Sequence, residues 1–261
     1  MIIQVRIKIS KKLFIEINLY PINMSKDAIK RIINKDIKEI NKMKLNDLGI
    51  HIEFNEDNML KARAIIIGPE NTPYEHGLLY FIIEFPNNYP FSPPKIGYLS
   101  TSRYRIHPNL YVGRSHDNYI GKVCLSSINT WSGPKWTSVM HIASILLSIQ
   151  SLLCNNPLHN EPGFENEVGE RNDLYNTIVK HDTYNYLIRR NGFEIHPLFE
   201  SFKQIINEHL TKNKDTILKN LDDLVIKYPG KLKISLNVYN IMMVIDYQNI
   251  KSEINKKYKQ I

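Results

Sequence analysis

The chain has 261 residues, 43% hydrophobic and 23% charged, enough to bury a large core with or without an appendage, and this excludes a disordered or low-complexity protein. Two cysteines exclude a disulfide framework and point to free thiols in a reducing compartment. The net charge of +8 sits on the flanks: residues 1–46 hold 11 Lys/Arg against 4 Asp/Glu and residues 201–261 hold 11 against 6, scattered without a base-reading motif, so a solvated surface is expected and nucleic acid is not.

Met1 to Ser10 alternates Ile3, Val5, Ile7 and Ile9 with Gln4, Arg6 and Lys8, which is strand periodicity and not the apolar run of a signal peptide. Residues 1–24 therefore read as an N-terminal extension with strand character. No stretch reaches the roughly 18 to 20 apolar residues of a membrane span, so no membrane partner is expected. From Ser25 to Lys44 apolar residues recur at helical spacing, with Ser25 as N-cap and Lys26, Lys30 and Arg31 on the outer face. Four strands follow, Ile50 to Phe54, Leu60 to Ile67, Leu78 to Phe85 and Lys95 to Tyr98, with turn residues at Asn55 to Asn58, Gly68-Pro69, Asn71-Thr72-Pro73 and the proline-rich Pro86 to Pro94. Connections this short favour an antiparallel meander, because parallel pairing needs crossovers.

Thr137 to Cys154 is almost uninterrupted apolar or small, the mark of a central helix buried nearly all round, and Asn155-Asn156-Pro157 ends it. Another helix is expected from about Asn172 to Arg190, stopped at Asn191-Gly192, and a further one after Pro197. From Asn213 helical spacing recurs around Ile217 to Val225 and again from Ile241 to Tyr247, divided by Pro229-Gly230. The fold class is α+β: a four-stranded meander on a central helix with flanking helices, a core over 25–192 and a helical extension over 193–261.

The chemistry centres on Cys124, which follows Gly121-Lys122-Val123 on a short turn, downstream of His107-Pro108-Asn109. A thiol exposed enough to meet two macromolecules in turn can carry an acyl group as a thioester. Thiolate reactivity follows local charge and exposure. An Asn side chain nearby, Asn109, can donate an amide N–H to the oxyanion that forms when an amine attacks, or it can tie down the loop. Cys154 reads as a small buried hydrophobe. No paired Cys or His ligands suggest a metal.

The ordered set Gly68-Pro69, Thr72-Pro73-Tyr74, Gly77, Tyr89-Pro90-Phe91-Ser92-Pro93-Pro94-Lys95, His107-Pro108-Asn109, Gly121-Lys122-Val123-Cys124-Leu125 and Trp136 resembles the ubiquitin-conjugating enzyme family over about residues 25 to 190. Trp131-Ser132-Gly133-Pro134, Asn156-Pro157-Leu158-His159 and Asn160 to Glu165 resemble its large members with C-terminal extensions, relatives of the giant inhibitor-of-apoptosis conjugating proteins. The resemblance implies a transferase that takes ubiquitin or a ubiquitin-like modifier from an activating enzyme onto Cys124 and passes it to lysines of a protein substrate with a ubiquitin ligase. No cofactor is implied on the chain; ATP is used upstream, by the activating enzyme.

By the same resemblance His107, Pro108 and Leu125 shape the active-site loop, and His159 is a candidate for orienting the incoming lysine or is a plain loop histidine. Phe91, Ser92, Pro93, Trp136, Thr137 and Ser138 are ligase-contact candidates, Trp136 having core packing as its alternative. Lys26, Lys30 and Arg31 are candidates for steering the activating enzyme. The chain departs from the family pattern in Thr137-Ser138-Val139 and in an apparent insertion over Val112 to Tyr119, read as a polar flap beside the thiol. A catalytically inactive adaptor, or a cysteine hydrolase using His107 or His159 as base, are the rival functions. The expected location is the cytoplasm, with the nucleus as a second one; Ile-, Asn- and Lys-rich usage suits an AT-rich genome, and for a viral chain that means host cytoplasm.

Overall fold

The computed structural model describes residues 24–113 and 120–260. The expected N-terminal strand and most of the expected flap lie outside them. Helix α1 (Met24–Arg31) passes through a wide π-type turn (Ile32–Asp36) into α2 (Ile37–Lys42), and Ser25 lies inside the helix instead of capping it. Its buried stripe is Ala28, Ile32, Asp36 and Ile40, each four residues from the next, so one charged group sits among the apolar ones.

Five antiparallel strands follow in sheet order β1-β2-β3-β4-β5: β1 (Ile50–Phe54), β2 (Lys61–Ile67), β3 (Leu78–Glu84), β4 (Lys95–Leu99) and β5 (Ile120–Lys122). The meander is as expected but carries a fifth strand, β5, whose Gly121 pairs with Tyr98. Edge strand β1 alternates buried and half-buried residues, whereas central β3 is buried almost throughout, as its Leu-Leu-Tyr-Phe-Ile-Ile run requires for a strand covered on both faces.

The central helix α3 is Ile142–Leu152, shorter than its apolar run, because His141 caps it: its Nδ1 accepts from Ser144 N–H at 3.2 Å. Asp36 reaches across from the first helix, and its Oδ1 accepts from Ile142 N–H at 2.8 Å and from the Tyr89 hydroxyl at 2.7 Å. That carboxyl is buried, and burial pushes its pKa up.

Helix α4 (Glu170–Asp182) runs through a π-type turn (Thr183–Ile188) into α5 (Arg189–Phe193), past the expected stop at Asn191-Gly192. Gly192 is there for close approach: a Cβ would lie 2.9 Å from Leu210 Cδ1. Asn191 closes the contact to the sheet, donating to Leu78 O at 2.6 Å.

The extension holds a 3-10 turn (Pro197–Phe202), α6 (Lys203–Lys212), α7 (Lys214–Lys227), a hairpin of β6 (Leu232–Leu236) and β7 (Ile241–Ile245), and α8 (Tyr247–Tyr258). Its all-helical reading is therefore corrected: Ile241–Ile245 is a strand that buries every second residue. The extension is not loosely appended. Phe199 stacks on Tyr80 of β3 with ring centroids 4.1 Å apart, and Arg63 of β2 donates to Leu198 O. Residues from α1 to α8 share one hydrophobic core.

Candidate active site

Cys124 lies just past β5, and its backbone is held on both sides. Its N–H donates to Asn109 O at 2.9 Å, while Asn109 Nδ2 donates to Cys124 O at 2.8 Å. Beyond it, the Thr130 hydroxyl accepts from Leu125 N–H at 2.8 Å and donates to Val123 O at 2.8 Å, bracing the turn across the thiol-bearing residue. Thr130 carried no motif signal in the sequence.

The loop bearing Asn109 is tied in turn to the central helix through His107. Its Nδ1 accepts from Asn109 N–H at 3.0 Å, which leaves the proton on Nε2, donating to Leu152 O at 2.9 Å. Burial lowers the His107 pKa to about 3, so the ring is neutral and both nitrogens are committed. Pro108 is buried, and its carbonyl accepts from the Arg105 guanidinium. Leu125 is half-buried and packs against the core.

The thiol-bearing residue is only 2% exposed, which corrects the expectation of an open thiol. The same bonds that fix its backbone draw it in against the Asn109 loop. Asn109 Nδ2 is already occupied in this arrangement, and its Oδ1 is buried without a partner. It serves here as loop support, and oxyanion donation would exchange its bond to Cys124 O for a new one.

Gly121 sets the approach of the two segments. Tyr111 N–H donates to Lys122 O at 3.0 Å, and a Cβ on Gly121 would lie 1.5 Å from Tyr111 O and 2.4 Å from its carbonyl carbon. Both are backbone atoms that no rotamer change can move. Gly121→Ala is expected to cost about 3 kcal/mol or more, read as a lower urea midpoint together with loss of thiol-dependent activity.

The other expected site residues divide by exposure. His159 is half-buried in a 3-10 turn (Pro157–Asn160), with Nε2 2.8 Å from Glu167 O. Phe91 is 80% exposed at the tip of its loop, and Thr137 and Ser138 are exposed. Ser92 accepts from Asn88 Nδ2 at 2.7 Å, and Pro93 is half-buried.

Trp136 is buried, packs beside Tyr89 and donates from Nε1 to Pro90 O at 2.7 Å, so it joins the two loops instead of facing a partner. Arg31 likewise turns inward, donating to Met140 O at 2.8 Å in the loop before α3. Lys30 is exposed and 3.8 Å from Asp27; Lys26 is half-buried. Among the described residues no three His, Cys, Asp or Glu side chains gather to hold a metal.

The family model for ubiquitin-conjugating enzymes matches residues 32–182, more than half of the chain, including Cys124, Asn109 and His159. The chain belongs to the ubiquitin-conjugating enzyme family. It is 38% identical over 206 residues to the probable ubiquitin-conjugating enzyme protein 17 of Caenorhabditis elegans, covering 74% of this chain and 27% of that protein. It is 41% identical over 139 residues to ubiquitin-conjugating enzyme E2 Z of Homo sapiens, covering 52% of this chain and 37% of that one. The chain thus spans well under half the length of these curated relatives. Among solved structures, a Toxoplasma gondii ubiquitin conjugating enzyme E2 domain superposes with a TM-score of 0.43 at 26% identity, over 59% of this chain and 98% of that one.

Proposed function

We propose that this chain is an active ubiquitin-conjugating enzyme with Cys124 as its acyl carrier. The observation that carries the reading is a cysteine pinned through its own N–H and C=O to the Asn109 loop, within the segment that matches the family. In charging, the Cys124 sulfur attacks the thioester carbonyl of the modifier held by the activating enzyme, the C–S bond to that enzyme breaks, and the proton of the Cys124 thiol passes to the departing sulfur. In transfer, a substrate lysine amine attacks the Cys124 thioester, the C–S bond breaks, the thiol is regenerated and an amide forms. One thioester replaces another in the first step, and the stabler amide drives the second.

Asn109 would donate to the oxyanion of that second step. His159 and its neighbours line the approach of the amine, Phe91, Thr137 and Ser138 meet the ligase, and Lys26 and Lys30 draw in the activating enzyme. Residues 25–192 form the catalytic core and 193–261 the extension shared with large family members. The modifier is ubiquitin or a ubiquitin-like protein, ATP acts upstream, and two free cysteines suit a cytoplasmic or nuclear location.

The hydrolase reading loses His107 as its base: both of its nitrogens are committed to the backbone and the ring stays neutral. Incubation with activating enzyme, ATP and labelled ubiquitin tests the proposal. A slower band that vanishes with thiol reductant is expected; no such band with ubiquitin or any ubiquitin-like modifier and its activating enzyme overturns it.

A further inference from the structure

The turn of the C-terminal hairpin does not end in solvent. Tyr239, between β6 and β7, has a backbone φ of +61°, a conformation rare for a residue with a bulky side chain, and its side chain reaches back into the catalytic half of the chain. Its hydroxyl donates to Glu161 Oε2, directly after the turn that carries His159. The centre of its ring lies 4.5 Å from the guanidinium carbon of Arg105, which is also 3.7 Å from the centre of the Tyr111 ring.

Arg105 is thus held against two aromatic rings, 4.0 Å from the same Glu161 oxygen, and it donates to Pro108 O in the His107-Pro108-Asn109 turn. Two further bonds fix the arrangement. Buried Tyr175 donates to Arg105 O at 2.9 Å and packs edge-on against Tyr239, and the Tyr104 hydroxyl donates to Met242 O on β7. One side chain from the extension therefore touches both the Arg105 prop of the Asn109 turn and the turn bearing His159.

We propose that Tyr239 is a positioning residue for the transfer step, acting through Arg105 on the Asn109 turn and through Glu161 on the His159 turn. It makes the extension part of the catalytic machinery instead of added bulk. The inference rests on the function proposed above, and it concerns the chemistry of discharge more than that of charging. Transthiolation demands little of the surrounding groups, whereas attack by an amine needs an oxyanion donor and an aligned nucleophile in place together.

Single-turnover discharge of the charged full-length chain to free lysine, at a series of lysine concentrations, tests this without a ligase. Tyr239→Phe keeps the ring and removes only the hydroxyl; Tyr239→Ala removes the ring from Arg105 as well. The maximal discharge rate is expected to fall about threefold in the first and about tenfold in the second, with the lysine KM unchanged and the charging rate within about twofold of the parent.

Discharge within twofold of the parent in both variants overturns the proposal. So does a parallel loss of charging, discharge and melting temperature in Tyr239→Phe, which would mark the contact as merely structural. A parent chain that never forms a thioester instead fails the proposed function, and is distinguished by the first lane of the same gel.

Discussion

Replacing Cys124 with Ala is expected to abolish the reductant-sensitive adduct, lowering it at least about a thousandfold, because the nucleophile itself is gone. The chain has one other cysteine, Cys154, half-buried at the end of α3 with its sulfur 3.8 Å from Asn160 Nδ2. Cys154 has none of the backbone bracing that Asn109 and Thr130 give Cys124, so Cys154→Ala should charge like the parent. Cys124→Lys places an amine where the thiol was and should convert a labile thioester into an adduct that survives reductant. All three are read on one gel run with and without reductant. An adduct retained by Cys124→Ala and lost by Cys154→Ala would move the carrier to the other thiol.

The catalytic half was largely legible because its signals are local. Prolines and glycines mark the turns, alternation marks β1, and the long apolar run marks the central helix. In the extension the helices after Pro197 and around Ile217 to Val225 were legible too, but the hairpin was not, and the reason is visible in β7. Ile-Met-Met-Val-Ile is apolar at every position, so neither a period of two nor one of 3.6 can be read from it. Only the fold, which buries Ile241, Met243 and Ile245 and leaves Met242 and Val244 out, reveals the strand.

β5 escaped for another reason. It is three residues long and is defined by its partner, not by its own pattern. At the site, residue identities were readable but orientations were not. Arg31 looks like a surface contact on its helix face, yet it satisfies a backbone carbonyl inside the molecule, and of the two readings of Trp136 the structure selects core packing. Asp36 did leave a sign: it occupies the fourth-residue spacing of an apolar stripe, and a charge there has to meet a buried donor.

Stability should fall steeply between pH 7 and pH 5, through histidines that the fold keeps neutral. Burial lowers His107 to about 3 and His51 to about 4, and burial together with neighbouring His76 lowers His209 to about 4. Each titrates near 6.5 when unfolded, so between that value and the folded one the unfolded chain binds more protons and acid favours it. The stabilisation is complete above the unfolded value and is lost as pH falls toward the folded one.

At pH 5 the loss is about 2 kcal/mol for each fully desolvated ring, and about 4–6 kcal/mol for the three once water's access to His51 and His209 is allowed for. That rivals the whole stability of an ordinary domain, which is about 5–15 kcal/mol. Asp36 and Asp182 oppose the trend, since burial raises their folded pKa values and protonation favours the folded state as pH falls through them. Urea midpoints at pH 7.5, 6 and 5 should decline in that order. His209→Gln, which removes a ring 5.5 Å from His76, should flatten the decline. A midpoint constant from pH 7.5 to 5 would mean these rings take up protons in the folded chain. His107 would then lose its Asn109 contact, and the turn beside Cys124 would loosen with it.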